Sequence, residues 1–252
     1  CAREMATTLE PSGPVAAVEV APPGFINLRL DQGWLVRRLE DVVAAGDSWG
    51  RSDFGDGKRV QVEFVSANPT GPLLFSHGRG AVVGDVVARL LSFTGHAVER
   101  EFYVNDAGRQ VLVFADSLLA ARRGQPPPRD GYAGGYIDEL AAEVPDALLV
   151  GGPEEVRRAV VDFGVQHYLA EFRTQLEQLG IVFDVWFSER GLYGAWERQT
   201  LAEVRRSAEI IERDGATWLR FRDGKEDVLY KANGEGTYLL GDLLYHRDKL
   251  VR

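Results

Sequence analysis

The chain has 252 residues, of which 45% are apolar and 27% are charged, and this ordinary globular composition excludes a disordered or collagen-like protein. Its formal net charge of −9 argues against a general nucleic-acid coat or a polybasic membrane anchor, although a local basic patch stays compatible with it. The single cysteine, Cys1, cannot form an internal disulfide and the four histidines are scattered, so we expect no structural metal. No apolar run reaches the roughly 18 residues of a membrane span and no targeting segment is visible, so we expect a cytoplasmic protein.

A small α+β unit is predicted over residues 1–57. Val15 to Val20 and Phe25 to Leu30 alternate apolar and polar residues on either side of Pro22-Pro23-Gly24, a pattern typical of a hairpin. Asp31 can cap the helix that follows. A stretch rich in glycine, serine and aspartate ends the unit and is a plausible linker.

A larger unit, residues 58–252, opens with a strand–helix–strand pattern. Apolar and polar residues alternate from Val60 to Phe64, an apolar helical pattern runs from Ala81 towards Gly95, and a second strand follows at Val98 to Val104. This βαβ unit predicts two parallel neighbouring strands in an α/β fold. Ligands of such sheets bind at the carboxyl ends of the strands.

The rest of the unit is expected to contain a helical insertion and further mixed elements. A helix begins near Arg109, and two more are predicted at Tyr136 to Leu149 and at Pro153 to Leu179; an insertion of this kind occupies about residues 122–175. The later predicted elements are a buried strand at Val182 to Phe187, a helix at Trp196 to Arg213, and a hairpin of Thr217 to Arg222 with Val228 to Lys231 around Asp223-Gly224.

The first candidate site is the polar loop after the first strand of the larger unit. The segment Asn68-Pro69-Thr70-Gly71-Pro72 precedes a glycine-flanked helix start at His77-Gly78, where free backbone N–H groups can receive a phosphate. On these residues alone, a well-made strand-to-helix turn is an equally good explanation.

Four segments, in order along the chain, resemble the bacterial type of arginyl-tRNA synthetase, and the resemblance as a whole extends from about Val15 to Arg252. They are Ser66-Ala67-Asn68-Pro69-Thr70-Gly71-Pro72-Leu73, Tyr103-Val104-Asn105-Asp106-Ala107-Gly108-Arg109-Gln110, Phe183-Asp184-Val185-Trp186-Phe187-Ser188-Glu189, and Thr237-Tyr238-Leu239-Leu240-Gly241-Asp242 with Tyr245-His246. The resemblance implies a class I enzyme with a Rossmann-like parallel sheet, preceded by the C-terminal part of a small N-terminal domain. It also implies the reaction: the carboxylate of L-arginine attacks the α-phosphate of ATP, with Mg²⁺, and the arginyl group passes to tRNA(Arg).

By the same resemblance, one group of residues binds arginine and another binds the nucleotide. A guanidinium is always charged and donates a fork of hydrogen bonds, so it requires carboxylates. Tyr238 and Asp242, four residues apart on one helix face, would bind it together with Glu189, and Asn68 would hold the backbone groups of the substrate. The residues expected to bind ATP are Pro69, Thr70, Gly71, His77 and Gly78, of which His77 is also the expected catalytic residue.

The chain departs from the His-x-Gly-His box of class I enzymes. Leu74-Phe75-Ser76-His77 keeps only the last histidine, and the loss of one charge-stabilising donor typically costs about 10² to 10³ in rate. The loop that grips the leaving phosphates and the anticodon-reading helical domain lie outside this chain, whose ends both look cut.

Three functions therefore stay open from the sequence. The first is the core of an arginine–tRNA ligase, impaired by its altered box; the second is a catalytically inactive, arginine-binding paralogue with a regulatory role; the third is a protein that transfers or modifies arginine by other chemistry. A row of arginines at helical spacing can approach tRNA, but a solvated helix face explains it more simply: Arg198, Arg205, Arg206 and Arg213. The oligomeric state is not indicated.

Overall fold

The computed structural model describes residues 1–9, 11 and 13–252, and these divide into two compact units, Cys1–Phe54 and Gly55–Arg252. The first unit contains α1 (Ala2–Thr7), β1 (Val15–Ala21), β2 (Phe25–Leu30), α2 (Gln32–Ala45) and a 3₁₀ turn (Gly46–Ser48). The assignment of the two units as separate domains stays a prediction.

The first unit contains the predicted hairpin and helix. β1 and β2 pair antiparallel, with Ala21 opposite Phe25 across the proline-rich turn. The Asp31 carboxylate accepts a hydrogen bond from the Trp34 backbone N–H at 2.7 Å and caps α2, as the sequence predicts. The short helix α1 is not predicted, because six residues are too few to show a helical period.

The second unit carries the remaining elements. In chain order they are β3 (Arg59–Glu63), α3 (Phe75–Phe93), β4 (Ala97–Val104), α4 (Gly108–Arg122), α5 (Gly135–Glu143), a 3₁₀ turn (Asp146–Leu149), α6 (Pro153–Gln178), β5 (Val185–Ser188), a 3₁₀ turn (Glu189–Leu192), α7 (Ala195–Val204), β6 (Glu209–Arg213), β7 (Ala216–Arg220), β8 (Glu226–Tyr230) and α8 (Tyr238–Val251). Within the described ranges, no helix is long and apolar enough to cross a membrane.

Three parallel strands, in the order β3-β4-β5, form the central sheet of this unit. Arg59 lies opposite Ala97, and Glu101 lies opposite Val185, so the predicted parallel βαβ unit and the α/β fold class are confirmed. The helix α3 comes very close to the sheet at Gly84, where a Cβ would lie 2.2 Å from Cγ of Phe64. Glycine is therefore required at this crossing.

The main core lies between this sheet and the helices α4, α5 and α6. Phe102, Phe114 and Phe172 are fully buried there, and α4 and α6 meet closely at Gly164, whose Cβ would lie 2.5 Å from Cε1 of Phe114. Pro153 starts α6, where its missing N–H costs nothing. The predicted long helix is confirmed apart from its last residue.

Several predicted boundaries are wrong for local reasons. The helix predicted at Tyr136 to Leu149 is divided, because Pro145 has no N–H and disfavours helix in the residue before it; α5 ends at Glu143 and a 3₁₀ turn follows. The strand predicted from Val182 begins only at Val185, and α3 begins at Phe75 rather than near Ala81.

The helix predicted at Trp196 to Arg213 is wrong in its second half. α7 ends at Val204, and β6 pairs antiparallel with β7 across Asp214-Gly215. Both turn residues have positive φ, 53° and 74°, which matches the two-residue hairpin that an Asp-Gly pair favours. Arg213 therefore lies on a strand, paired with Glu226 at 2.8 Å, and the predicted row of arginines on one helix does not exist.

A second core joins the antiparallel sheet β6-β7-β8 to α8, through Leu219, Leu229, Leu240 and Leu244. The same helix also bonds to the parallel sheet at a buried carboxylate on the central strand. Glu101, which is fully buried, accepts hydrogen bonds from the Tyr245 hydroxyl and from the Arg252 guanidinium, the latter at 2.8 Å and 3.1 Å. α8 is thereby attached to both sheets.

Candidate functional site

A cavity of about 490 Å³ lies at the carboxyl ends of β4 and β5, the edge at which ligands of parallel sheets bind. Tyr103 and Asn105 line it at the end of β4, Glu189 at the end of β5, and Tyr238 and Asp242 on the first turns of α8. The cavity therefore brings together residues from three of the four segments that carry the family resemblance.

Glu189 is buried at one end of this cavity and is held by three polar neighbours. The Tyr193 hydroxyl donates to Oε1 at 2.6 Å, the Tyr103 hydroxyl also bonds to the carboxylate, and the Asn105 amide, with its nitrogen towards Glu189, donates to Oε2 at 2.8 Å. Burial raises the pKa of Glu189; the tyrosine hydrogen bonds lower it, and the nearby charges of Asp106 and Asp242 raise it further. An unoccupied Glu189 therefore holds its proton to a higher pH than an exposed glutamate does.

α8 approaches this carboxylate through a glycine. A Cβ on Gly241 would lie 3.4 Å from Glu189 Oε1 and 3.8 Å from the Tyr193 hydroxyl, so the absence of a side chain leaves space there. Within the described residues, no hydrogen bond to the side chain of Asp242 is formed. Glu189 and Asp242 thus lie in one cavity, as joint binding of one guanidinium requires.

The rim of the cavity has a different charge balance from its acidic end. The Arg109 guanidinium pairs with Asp130 at 2.7 Å, and the Lys231 ammonium pairs with Glu235 at 3.3 Å. The two rim pairs are neutral in sum, whereas Glu189 and Asp242 have no basic partner among the described residues. A cation is therefore favoured at the end of the cavity formed by these two acids.

Asn68 does not line the cavity but is connected to it. Its Nδ2 donates to Gln110 Oε1 at 2.8 Å, and Gln110 Nε2 donates to the Tyr238 hydroxyl at 2.9 Å. A chain of two hydrogen bonds thus joins the loop after β3 to α8. Gln110 itself lines the cavity.

The loop before Asn68 has an uncommon backbone. Val65 and Ser66 both have positive φ, 67° and 42°, a conformation that costs of order 1 to 3 kcal/mol for each residue other than glycine. Ser66 Oγ donates to Glu63 at 2.9 Å and accepts from the Tyr103 backbone N–H at 3.2 Å. These bonds fix the direction in which the chain leaves β3.

None of the residues predicted to bind ATP lines this cavity. The side chains of Pro69 and Thr70 are buried, and Gly71 packs against Tyr136, whose Cε2 would lie 3.2 Å from an added Cβ. The backbone N–H of Thr70 donates to the carbonyl oxygen of Asn68 at 2.8 Å, so in this conformation Thr70 offers no free backbone donor.

The start of α3 contains the altered histidine box. His77 Nδ1 accepts a hydrogen bond from the Leu74 backbone N–H at 3.0 Å, so the neutral ring carries its proton on Nε2, free to donate. Leu74 and Phe75 are exposed beside it. A Cβ on Gly78 would meet nothing within 4 Å, which leaves open space on that side of the helix.

Four polar residues that contact Glu189 or Tyr238 are not among the predicted site residues: Tyr103, Asn105, Gln110 and Tyr193. Three of them lie in the segment Tyr103 to Gln110, quoted for the resemblance, so its clustered polar residues were the available signal. Tyr193 follows Glu189 by four residues, and this spacing is a weaker signal.

Among residues 1–9, 11 and 13–252, no three His, Cys, Asp or Glu side chains are grouped to hold a metal ion.

Comparisons with known proteins all find similarity to arginine-specific tRNA synthetases. Residues 39–123 match the family described as "tRNA synthetases class I (R), catalytic domain". The arginine–tRNA ligases of Desulforudis audaxviator and Geobacillus kaustophilus are 45% and 42% identical to the chain, over 94% of it and 45% of each ligase. The chain thus spans less than half the length of these curated relatives.

Solved structures give the same family. A putative arginyl-tRNA synthetase from Campylobacter jejuni superposes with a TM-score of 0.76 at 32% identity, covering 88% of this chain and 51% of its own. The Thermus thermophilus arginyl-tRNA synthetase, with a TM-score of 0.63 at 22% identity over 97% of this chain and 43% of its own, shows the shared fold.

Proposed function

We propose that this chain, which belongs to the arginyl-tRNA synthetase family, binds L-arginine as the amino-acid-binding part of an arginine–tRNA ligase. One observation carries the proposal: Glu189 and Asp242, from distant parts of the sequence, line the same cavity. The Tyr103 and Tyr193 hydroxyls bond to Glu189, and no basic side chain among the described residues neutralises either acid.

The chemistry of this end of the cavity suits a guanidinium. That group is planar, permanently charged and has five N–H donors in a fixed fork. It therefore needs several hydrogen-bond acceptors, some of them negatively charged. Glu189, Asp242 and the Tyr238 hydroxyl supply them from two sides. Asn68, joined to Tyr238 through Gln110, is the residue we assign to the backbone groups of the amino acid.

The reaction proposed for the whole protein is charging of tRNA(Arg). The arginine carboxylate attacks the α-phosphate of ATP, and pyrophosphate leaves with Mg²⁺. A hydroxyl of the terminal ribose of the tRNA then attacks the carbonyl carbon of the arginyl-adenylate, and AMP leaves. The first step is an in-line displacement, which depends on placement and on stabilisation of charge at the phosphate oxygens. In this chain, Nε2 of His77 and the backbone N–H of Gly71 are the donors we assign to ATP, because the N–H groups of Thr70 and Gly78 already donate to the carbonyl oxygens of Asn68 and Leu74.

A second candidate function rests on the histidine box. Leu74 cannot donate to a phosphate, and Ser76 places a side chain where class I enzymes have glycine, so arginine binding without activation is an alternative. The chain would then be a regulatory, arginine-binding paralogue. Replacement of Leu74 by His and Ser76 by Gly distinguishes the two, measured as pyrophosphate exchange by the complete gene product with tRNA(Arg) present.

If the altered box limits an otherwise competent enzyme, the double variant exchanges pyrophosphate faster, by up to about 10²- to 10³-fold for a restored donor. A wild-type rate already typical of ligases would show that the box is no defect. No activity in either protein would favour the arginine-binding paralogue.

Arginine binding is tested by calorimetric titration of the chain with L-arginine, L-citrulline and L-lysine. Citrulline has nearly the shape of arginine but no charge, and lysine keeps the charge without the planar fork. We expect arginine alone to bind measurably and Asp242→Ala to abolish that binding. Equal binding of citrulline would contradict recognition by two carboxylates.

A further inference from the structure

Asp106 lies just beyond β4 and forms hydrogen bonds to the residues on both sides of Glu189. Its Oδ2 accepts from the Ser188 hydroxyl at 2.6 Å, and its Oδ1 accepts from the Arg190 backbone N–H at 3.0 Å. Its own carbonyl oxygen accepts from Arg190 Nη2 at 3.2 Å. Three bonds from one residue therefore enclose the position of Glu189.

These bonds begin where the backbone pairing between β4 and β5 ends. The last paired residues of β4 and β5 are Val104 and Ser188, and the 3₁₀ turn that carries Glu189 starts immediately afterwards. Arg190 is anchored on its other side by Asp162 of α6 at 2.8 Å. Asp106 thus continues the connection between the two strands by one further turn, through side-chain bonds instead of a backbone ladder.

The negative charge of Asp106 does not explain why an aspartate stands at this position. Asp106 does not line the cavity, and a second negative charge close to Glu189 disfavours ionisation of that carboxyl. Its two oxygens are directed at Ser188 and Arg190, so its contribution is the direction of the turn.

We propose that Asp106 is the positioning residue of the site: it fixes the Ser188–Arg190 turn so that the Glu189 carboxylate enters the cavity between Tyr103 and Tyr193. The inference rests on the proposed function only in that Glu189 is taken to bind arginine. A displacement of about 1 Å in such a group is enough to cost roughly 10²-fold in the step that it serves.

Two substitutions separate geometry from charge. In Asp106→Asn, the amide oxygen still accepts from the Arg190 N–H and the amide nitrogen can donate to Ser188 Oγ, so the turn is kept while the charge is lost. Asp106→Ala loses both side-chain bonds. Asp116→Ala, which breaks the Arg157–Asp116 pair between α4 and α6, is the control for a general loss of stability.

Arginine affinity is measured by calorimetry at a temperature at which circular dichroism shows each variant to be folded. We expect Asp106→Ala to weaken binding roughly 10- to 100-fold, and Asp106→Asn and Asp116→Ala to stay within about threefold of the wild type. Unchanged affinity in folded Asp106→Ala, or equal losses in the Ala and Asn variants, would overturn the inference. If the wild type itself fails to bind arginine, the proposed function fails instead.

A second measurement does not depend on arginine. NMR titration of the Glu189 side-chain carboxyl reports whether it is still buried. We expect its pKa to fall further towards that of an exposed glutamate in Asp106→Ala than in Asp106→Asn, because only the alanine variant releases the turn to solvent. Equal values in the two variants would refute the positioning role whether or not arginine binds.

Discussion

Replacement of Glu189 by glutamine tests the most specific feature of the cavity. The change keeps the shape of the side chain and its ability to accept from the Tyr103 and Tyr193 hydroxyls, but it removes the negative charge. We expect arginine binding to be lost selectively, because a guanidinium hydrogen-bonded to a carboxylate is bound more strongly than one facing a neutral amide.

The magnitude follows from the burial of the group. Hydrogen bonds to charged partners contribute about 1.5 to 3 kcal/mol, and every 1.36 kcal/mol is a factor of ten, so the dissociation constant should rise roughly 10- to 150-fold. Without arginine, the same substitution should have a favourable effect, because it should stabilise the folded protein. Since the pKa of Glu189 is raised in the folded state, its favourable contribution to folding is present at low pH and is lost as the pH rises through that pKa.

The glutamine variant, which is always neutral, should therefore unfold at a higher temperature than the wild type at pH 8. Calorimetric titration with arginine and thermal unfolding at pH 8 measure the two effects in the same samples. Glu177→Gln, on the exposed end of α6, is the matched control and should change neither. An arginine affinity equal to that of the wild type would refute the assignment of Glu189, and a lower unfolding temperature would refute the account of its burial.

Three further outcomes are expected. Arginine binding to the wild type should strengthen as the pH rises through the raised pKa of Glu189, with a proton released that makes the binding enthalpy depend on the buffer; a pH-independent affinity would contradict this. Gly84→Ala, which places a Cβ 2.2 Å from Phe64, should destabilise the second unit by about 1 to 3 kcal/mol, whereas Gly80→Ala on the same helix meets nothing and should stabilise it by about 0.5 to 1 kcal/mol, both measured by urea unfolding. Phe172→Ala, in the main core, should cost about 3 to 5 kcal/mol in the same assay, and a cost below 1 kcal/mol would show that the core readjusts.

Parts of the fold are predictable because local signals agree with tertiary structure. Pro153 and the apolar stripe of α6 set that helix almost to the residue, and alternating strands around α3 predict the parallel pair β3 and β4. The error after Val204 has the opposite cause: the prediction of a helix from Trp196 to Arg213 disregards Ile210-Ile211 and the Asp214-Gly215 pair that follows, although β-branched residues before an Asp-Gly pair favour a hairpin.

The candidate site divides in a similar way. Glu189 and Asp242 are identified in the sequence only through family resemblance, since an isolated acid in a sequence is usually a surface charge. That they share a cavity depends on the sheet, which brings their segments together. The contacts of Asp106 and of Gly241 were beyond prediction. Each depends on distances between chain segments that no periodicity encodes, and a glycine that makes room for a carboxylate looks like any other glycine.

The buried Glu101 carboxylate limits how α8 can be seated. Breaking a buried ion pair by removing one partner typically costs about 3 to 5 kcal/mol, so a helix slipped along its axis by one turn would leave this charge stranded within the central strand. The Arg252–Glu101 and Tyr245–Glu101 bonds therefore fix the position of α8 along its own axis. Tyr238 and Asp242 lie at the start of the same helix. Contacts at the end of α8 therefore determine where these two ligand-facing residues are placed.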